Sequence, residues 1–275
     1  MRSTERRVEV TGGHLGLQEL GDPAGDAVLV VPTALVADEL LPLARRLADA
    51  GHRVLHPRRR GYGSSSASPE GWAVVDEVRD ALAVLDAADA PGAHVVGASW
   101  SALVVLDLAV VAPDRVRSLG LVEPPPLGGP TDVRFRELNA ELLALRQRVG
   151  VPAALERFQT DLAGARWRAE LEALLPGAVD RVERDAPTFF DRDVPALLSW
   201  RPDVGRLREV RAPALLVAGG ASGPLFAGVS ATVARWLPHV RTTVVDGAGH
   251  DVALTHPDDV ASPLLRTWRP DEPPP

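Results

Sequence analysis

The sequence of 275 residues contains no cysteine. A chain without thiols forms no disulfide bond, binds no metal through cysteine and has no cysteine nucleophile. Lysine and isoleucine are also absent, so all 30 basic residues are arginine. We attribute this bias to GC-rich coding and infer no function from it.

The chain also lacks an excess of positive charge and any long apolar run. Its formal net charge is −7, which argues against nucleic acid or an anionic membrane as a partner. Residues 1–7 predict no signal peptide, because no apolar run follows their charges. No window approaches the ~20 apolar residues of a membrane span. We therefore expect a cytoplasmic location, and we leave the oligomeric state open, with a homodimer as one alternative.

Apolar runs typical of strands alternate with amphipathic stretches typical of helices through most of the chain. This alternation predicts an α/β fold with a doubly wound, mostly parallel sheet of eight strands. The first two strands flank Gly12 and Gly13 and are predicted to form a hairpin. The predicted strands cover residues 8–11, 15–20, 27–31, 52–56, 93–98, 117–122, 214–218 and 242–245.

The alternation stops between residues 124 and 202, where helical segments follow one another and strand-like runs disappear. We expect this stretch to be a helical lid inserted after strand 6. The surrounding core would comprise residues 1–123 and 203–270. The proline-rich residues 271–275 are expected to form a disordered tail.

A strand-like run ending at Ala98 leads directly into Gly-x-Ser-x-Ser, with Ser99 at the centre, and an apolar helix follows. A serine on such a strand–turn–helix stands exposed at the carboxyl edge of a sheet, where helix N–H groups face it. The pattern resembles a nucleophile elbow whose last glycine is replaced by Ser101. The alternative is an ordinary turn that happens to carry a serine, because short motifs have many false positives.

A serine nucleophile needs a base that takes its proton. His250 follows the last predicted strand within Gly-Ala-Gly-His, and the small residues before it would let this loop reach Ser99. The alternative role for His250 is that of a capping residue before the next helix.

Three further motifs occur in a consistent order along the chain. Residues 60–65 read Arg-Gly-Tyr-Gly-Ser-Ser, residues 113–116 read Pro-Asp-Arg-Val, and His-Pro-Asp at 256–258 follows the histidine loop. With the serine turn, these motifs resemble the α/β-hydrolase family over nearly the whole chain. The resemblance implies a serine hydrolase with a nucleophile, a base and an acid, and it implies neither a cofactor nor a metal.

The chain departs from the family at the acid. Most relatives carry an aspartate shortly after strand 7, but residues 219–224 contain no carboxylate. Some members place the acid just after strand 6, where this chain has Glu123 followed by three prolines. We therefore expect Glu123 to be the acid partner of His250. The alternative is a structural salt bridge from Glu123 to an arginine of residues 58–60.

The family also implies an oxyanion hole formed by backbone N–H groups. Trp100, which follows the serine, would supply one of them. The second would come from Ala34 or Thr33 in the loop after strand 3, since Pro32 has no N–H.

Aromatic residues in the predicted insertion indicate an apolar substrate pocket. We expect Trp100, Phe189, Phe190 and Trp200 to contact a small apolar molecule. With a serine nucleophile, this predicts cleavage of a small ester or lactone. Two alternatives stay open: a non-hydrolytic relative such as a cyclase or perhydrolase, and a catalytically weakened binding protein.

Overall fold

One sheet of eight strands crosses the computed structural model, which describes residues 2–268. The predicted tail lies outside the described residues, as do the last two residues of the predicted core. The strands are β1 Ser3–Val10, β2 Gly13–Gly21, β3 Ala27–Val31, β4 Arg53–Pro57, β5 Ala93–Ala98, β6 Val116–Val122, β7 Ala214–Gly219 and β8 Val240–Val245.

The strand order is β1-β2-β4-β3-β5-β6-β7-β8. Strand β2 pairs antiparallel with β1 and with β4, and the pairs from β4 through β8 are all parallel. The predicted mostly parallel eight-stranded sheet is therefore confirmed. Strands β3 and β5 are buried along their whole length, because helices cover both faces of the sheet.

Eleven helices are present in residues 2–268. They are α1 Leu41–Asp49, α2 Val74–Ala87, α3 Ser101–Val111, α4 Asp132–Ala163, α5 Trp167–Leu174, α6 Ala178–Thr188, α7 Val194–Ser199, α8 Val204–Leu207, α9 Val229–Trp236, α10 Val252–Thr255 and α11 Pro257–Trp268. Helices α2, α3 and α9 bury their apolar residues against one face of the sheet. Helices α1, α10 and α11 pack on the other face.

The segment between β6 and β7 is helical and has an apolar cluster of its own. Helix α4 is interrupted at Gly150, whose φ of +81° is not helical, and Pro152 follows this interruption. A π-helical turn, Phe189–Asp193, connects α6 to α7. The cluster includes Leu35, which lies in the loop after β3. The helical segment is therefore packed against the loops at the carboxyl edge of the sheet.

No helix in residues 2–268 is both long enough and apolar enough to cross a membrane.

Gly97 allows β5 and α3 to approach each other closely. A Cβ at this position would lie 2.6 Å from the Ser101 carbonyl oxygen and 2.8 Å from Val105 Cγ2. Because the first of these atoms belongs to the backbone, the helix itself would have to shift. The glycine is therefore required by packing rather than by its own φ.

We predict that Gly97→Ala lowers the free energy of unfolding by about 2 kcal/mol, the usual cost of overpacking a core. Urea denaturation followed by circular dichroism measures this loss. Gly92→Ala is the matched control, because its Cβ would lie 3.5 Å from the nearest atom, an ordinary contact. Equal midpoints for the two variants would contradict the proposed close approach.

Candidate active site

Ser99 occupies a strained turn between β5 and α3. Its φ is +49°, a value that residues other than glycine seldom adopt. The turn is fixed on both sides: the Ser99 N–H donates to the Val122 carbonyl oxygen at 2.9 Å, and Ser101 Oγ lies 2.8 Å from the Val31 carbonyl oxygen. These contacts raise the Ser99 side chain above the carboxyl edge of the sheet.

Glu123 stands in the same kind of turn at the end of the neighbouring strand, β6. Its φ is +47°, and its N–H donates to the Val217 carbonyl oxygen at 2.8 Å. The side chain is 3% exposed, and the Gly219 N–H donates to Oε1 at 2.6 Å. The N–H of Gly219 in β7 thus holds Oε1, and Oε2 remains available for a second hydrogen bond.

The histidine loop brings His250 between these two side chains. His250 Nδ1 lies 3.0 Å from Glu123 Oε2, and His250 Nε2 lies 2.9 Å from Ser99 Oγ. A carboxylate only accepts hydrogen bonds, so Nδ1 carries the proton and the Ser99 hydroxyl donates to Nε2. The structure therefore brings together the three residues that the sequence indicated, although they are up to 151 positions apart.

The loop after β7, which lacks the usual aspartate, packs closely on the histidine loop. A Cβ on Gly219 would lie 2.5 Å from the carbonyl oxygens of Ala248 and Gly249. The carboxylate of Glu123 enters this crowded region from the adjacent strand and accepts the Gly219 N–H. The alternative partner for Glu123, an arginine of residues 58–60, is excluded by the ion pairs that those arginines make elsewhere.

The loop after β3 lines the same cavity as Ser99 and is anchored on both sides of Ala34. Leu35 has a φ of +66°, and its N–H donates to the Tyr62 hydroxyl at 2.9 Å. On the other side of Ala34, the Thr33 carbonyl oxygen accepts a 3.4 Å hydrogen bond from Arg59. Ala34 is thus fixed between two anchored residues.

The N–H groups of Ala34 and Trp100 make no hydrogen bond to another group in residues 2–268. Both residues line the cavity that opens onto Ser99, and so does Thr33. Unpartnered N–H donors at such a position are what a developing oxyanion requires.

A fully buried arginine, Arg59, connects this loop to the helical segment. Its guanidinium pairs with Asp193 at 2.6 Å and Glu77 at 3.1 Å, and it stacks 3.8 Å from the centre of a Trp100 ring. Burial alone lowers the pKa of Arg59, but the two carboxylates more than compensate and raise it. Tyr62 donates a short hydrogen bond to Asp193. The sequence analysis did not predict this network, because Asp193 lies 134 positions from Arg59 and no motif around Asp193 indicates the pairing.

The cavity beside Ser99 has a volume of about 280 Å³ and mostly apolar walls. Two of the predicted substrate-binding residues, Trp100 and Phe189, line it. Phe226, which the sequence analysis did not single out, also lines it, and its ring lies 4.4 Å from the His250 ring. Helix α4 supplies much of the remaining wall.

The other two predicted substrate-binding residues do not line this cavity, so those expectations need correction. Phe190 is 1% exposed and lies inside the apolar cluster of the helical segment. Trp200 donates its indole N–H to Asp107 at 3.1 Å, and its ring packs edge-on against Trp236. Both side chains fill the protein interior, which is the common role of aromatics at helical spacing.

Within residues 2–268, no group of three or more His, Asp or Glu side chains is arranged to hold a metal ion. The described residues offer the Ser99 hydroxyl, the His250 imidazole, the Glu123 carboxylate and two unpartnered main-chain N–H donors. Fold and site together define an α/β enzyme whose reactive groups lie at the strand ends.

Comparison with known proteins identifies the family. The model of a family described as the alpha/beta hydrolase family matches residues 28–262. Epoxide hydrolase A of Mycobacterium tuberculosis is 28% identical over 95% of this chain and 96% of that protein. Rhodomycin D methylesterase of Streptomyces peucetius is 28% identical over 91% and 93% of the two chains. The solved enol-lactonase structure from Burkholderia xenovorans LB400 has a TM-score of 0.78 at 16% identity, covering 95% of this chain and 99% of that one.

The chain belongs to the alpha/beta hydrolase family, and it is a hydrolase.

We predict that Asp193→Asn lowers the free energy of unfolding by about 3 kcal/mol, because the buried Arg59 charge loses one of its two counter-charges. Urea denaturation measures the change. The control is Glu9→Gln, which breaks the ion pair with Arg7 on β1, where both side chains are more than 60% exposed. Such surface pairs contribute little, so the control should keep its midpoint. An unchanged midpoint for Asp193→Asn would show that the buried pair does not stabilise the fold.

Proposed function

We propose that the protein is a serine hydrolase that cleaves a small apolar ester or lactone through an acyl-enzyme on Ser99. The observation that carries this proposal is the continuous hydrogen-bonded chain from Ser99 Oγ through His250 to Glu123, with links of 2.9 and 3.0 Å. A base held in one tautomer by a buried carboxylate is what a serine needs to attack at neutral pH.

In the proposed reaction, the Ser99 hydroxyl proton moves to His250 Nε2 as Oγ bonds to the substrate carbonyl carbon. The Glu123 carboxylate stabilises the imidazolium that results. The carbon–oxygen bond to the alcohol then breaks, and the leaving oxygen takes the proton from Nε2. Water repeats the sequence: its proton passes to His250, its oxygen attacks the acyl carbon, and Ser99 Oγ departs with that proton.

The N–H groups of Ala34 and Trp100 would stabilise the oxyanion formed in each addition. A donor of this kind contributes about 3–4 kcal/mol to transition-state stabilisation in other hydrolases. The Thr33 hydroxyl could act as a further donor at the same end of the cavity. The anchoring of Thr33 and Leu35 by Arg59 and Tyr62 supports this assignment, because it fixes the direction of the Ala34 N–H before substrate binds.

The serine itself favours acyl transfer over epoxide opening. Epoxide hydrolysis and dehalogenation in this family use an aspartate nucleophile, whose ester with the substrate is then hydrolysed, whereas this chain has Ser99. The methylesterase relative is named for ester cleavage. The apolar walls of the cavity agree with an apolar substrate.

The geometry also bears on the alternative of a catalytically weakened binding protein. A binding protein without catalytic activity would not require Glu123 to contact His250. The Glu123 carboxylate nevertheless lies within hydrogen-bonding distance of His250 Nδ1. This contact favours an enzyme.

We expect Ser99→Ala to lower the hydrolysis rate of short p-nitrophenyl esters by at least about 10⁴-fold, since the nucleophile is removed. A fluorophosphonate probe should add to Ser99 of the wild type, with the adduct located by peptide mass spectrometry, and should not label the variant. Ser262→Ala, on the exposed side of α11, is the control and should keep both the ester hydrolysis and the labelling of Ser99. Undiminished hydrolysis by Ser99→Ala would make the mechanism wrong.

We expect Glu123→Gln to lower kcat by about 10²- to 10⁴-fold, because an amide neither balances the imidazolium charge nor enforces the correct tautomer. Steady-state kinetics on the same esters measures the loss. Asp246→Asn is the matched control: this carboxylate also lies in the histidine loop but is exposed and makes no hydrogen bond to His250. If both variants lose activity equally, Glu123 has no special role.

A further inference from the structure

Two polar side chains in the cavity beside Ser99 have no part in the proposed reaction. Glu39 lies between β3 and α1, and Gln159 belongs to α4. Both line the 280 Å³ cavity together with Ser99 and His250. Both also line a smaller adjoining cavity of about 80 Å³. They thus stand where the two spaces meet.

The remaining polar groups of this cavity, apart from those assigned to the reaction, already have partners. Asn139 donates to the Phe135 carbonyl oxygen at 2.8 Å, and Asp161 is paired with Arg157 at 2.6 Å. By contrast, neither the Glu39 carboxyl nor the Gln159 amide makes a side-chain hydrogen bond within residues 2–268.

Gln159 is only 4% exposed. A buried amide normally finds a partner in the protein, because leaving one unsatisfied costs about 1–3 kcal/mol. The amide nitrogen and oxygen of Gln159 are not among the fully enclosed side-chain atoms without a partner, so they open into the cavity. A molecule bound there can pair with them.

The charge of the site restricts what this partner can be. Burial raises the pKa of the Glu39 carboxyl to about 7; the electrostatic influence of His250 opposes this shift and that of Asp251 adds to it. No arginine lies among the described residues that line the cavity. A substrate carboxylate would therefore meet a carboxyl without a compensating cation, whereas a hydrogen-bond donor would be accepted.

We propose that Glu39 and Gln159 form a subsite for a hydrogen-bond donor, a hydroxyl or an ammonium group, carried by the ester that Ser99 attacks. This inference rests on the proposed function and adds a substrate feature to it. The substrate is then an apolar ester with one polar end, and the carboxyl and amide oxygens accept that end while the apolar walls hold the rest.

A different role for Glu39, through its electrostatic influence on His250, makes a different prediction. Such an influence would alter the hydrolysis of every ester to the same degree. A donor subsite alters only esters that carry the donor. The two roles are therefore separated by comparing substrates of equal shape.

The test uses three butyrate esters that differ only at the end of the alcohol: 3-methylbutyl butyrate, 3-hydroxybutyl butyrate and protonated 2-(dimethylamino)ethyl butyrate. We expect the wild type to prefer at least one donor ester over 3-methylbutyl butyrate by at least about tenfold in kcat/KM. Glu39→Gln should strongly reduce a preference for the ammonium ester, because it removes the charge. Glu39→Leu, which also removes the acceptor oxygens, should strongly reduce a preference for the hydroxyl ester. Both variants should leave the rate on 3-methylbutyl butyrate nearly unchanged. Asp161→Asn, which alters the paired carboxylate of the same cavity, should keep the preference.

The pH dependence distinguishes the two donors. A preference for the ammonium ester should rise between about pH 6 and pH 8, as Glu39 loses its proton and gains charge. A preference for the hydroxyl ester should not rise, because either form of the carboxyl accepts a hydrogen bond. Taking ratios to 3-methylbutyl butyrate cancels pH effects on the steps that are common to all three esters.

Equal rates on the three esters would overturn the subsite and leave the hydrolase proposal intact. Glu39→Gln slowing all three equally would also overturn it. If Glu39→Gln is inactive on every ester because it fails to fold, Gln159→Leu takes its place. The subsite is then supported only if Gln159→Leu loses the preference for the donor ester. Absence of both hydrolysis and a fluorophosphonate adduct on Ser99 would instead refute the proposed function, on which the subsite depends.

Discussion

The Arg59 guanidinium, held between Asp193 and Glu77 inside the protein, is the interaction on which the arrangement around Ser99 depends. It joins the loop after β4 to the helical segment and lies on the face of Trp100, the residue after Ser99. A buried charge requires nearly all its counter-charges and hydrogen-bond partners to be in place at once. Elements far apart in sequence are therefore fixed relative to one another.

The same network reaches the loop after β3. Asp193 accepts a hydrogen bond from the Tyr62 hydroxyl, which in turn accepts the N–H of Leu35. The Asp193 carbonyl oxygen accepts the indole N–H of Trp100 at 2.8 Å. One residue of the helical segment thus contacts Trp100 directly and reaches the loop after β3 through Tyr62 and Arg59. Both sides of the proposed oxyanion hole are therefore tied to that segment.

Local patterns in the sequence were sufficient to predict the eight strands, the order of the motifs and the positions of Ser99 and His250, although β1 begins at Ser3, five residues before its predicted start. Continuous apolar runs define the central strands, because a strand that is buried on both faces needs an apolar residue at nearly every position, and small residues mark the turns. The strands and turns are features that a few neighbouring residues determine. Glu123 was predicted from the resemblance to family members that place the acid after strand 6, supported by the cost of a carboxylate without a partner at the end of an apolar strand.

The pairing of Arg59 with Asp193 and the directions of Phe190 and Trp200 depend on tertiary packing. An aromatic residue on a helix faces either a cavity or a neighbouring helix, and helical spacing is the same in both cases. Trp200 faces Asp107 and Trp236, contacts that no local pattern indicates. Glu39 was missed for a related reason: its proximity to Ser99 arises only from the path of the loop after β3.

The position of Glu123 on β6 changes what the loop after β7 has to do. In this chain the Gly219 N–H at the end of β7 anchors Glu123, and close packing on the histidine loop leaves no room for a side chain at that one position. The loop beyond Gly219 supplies no acid, and it contributes Leu225 and Phe226 to the cavity wall. Its side chains can therefore be exchanged during evolution without loss of the acid. The architecture thus separates the proposed chemistry, assigned to β5, β6 and the histidine loop, from a neighbouring loop that is open to diversification toward new substrates.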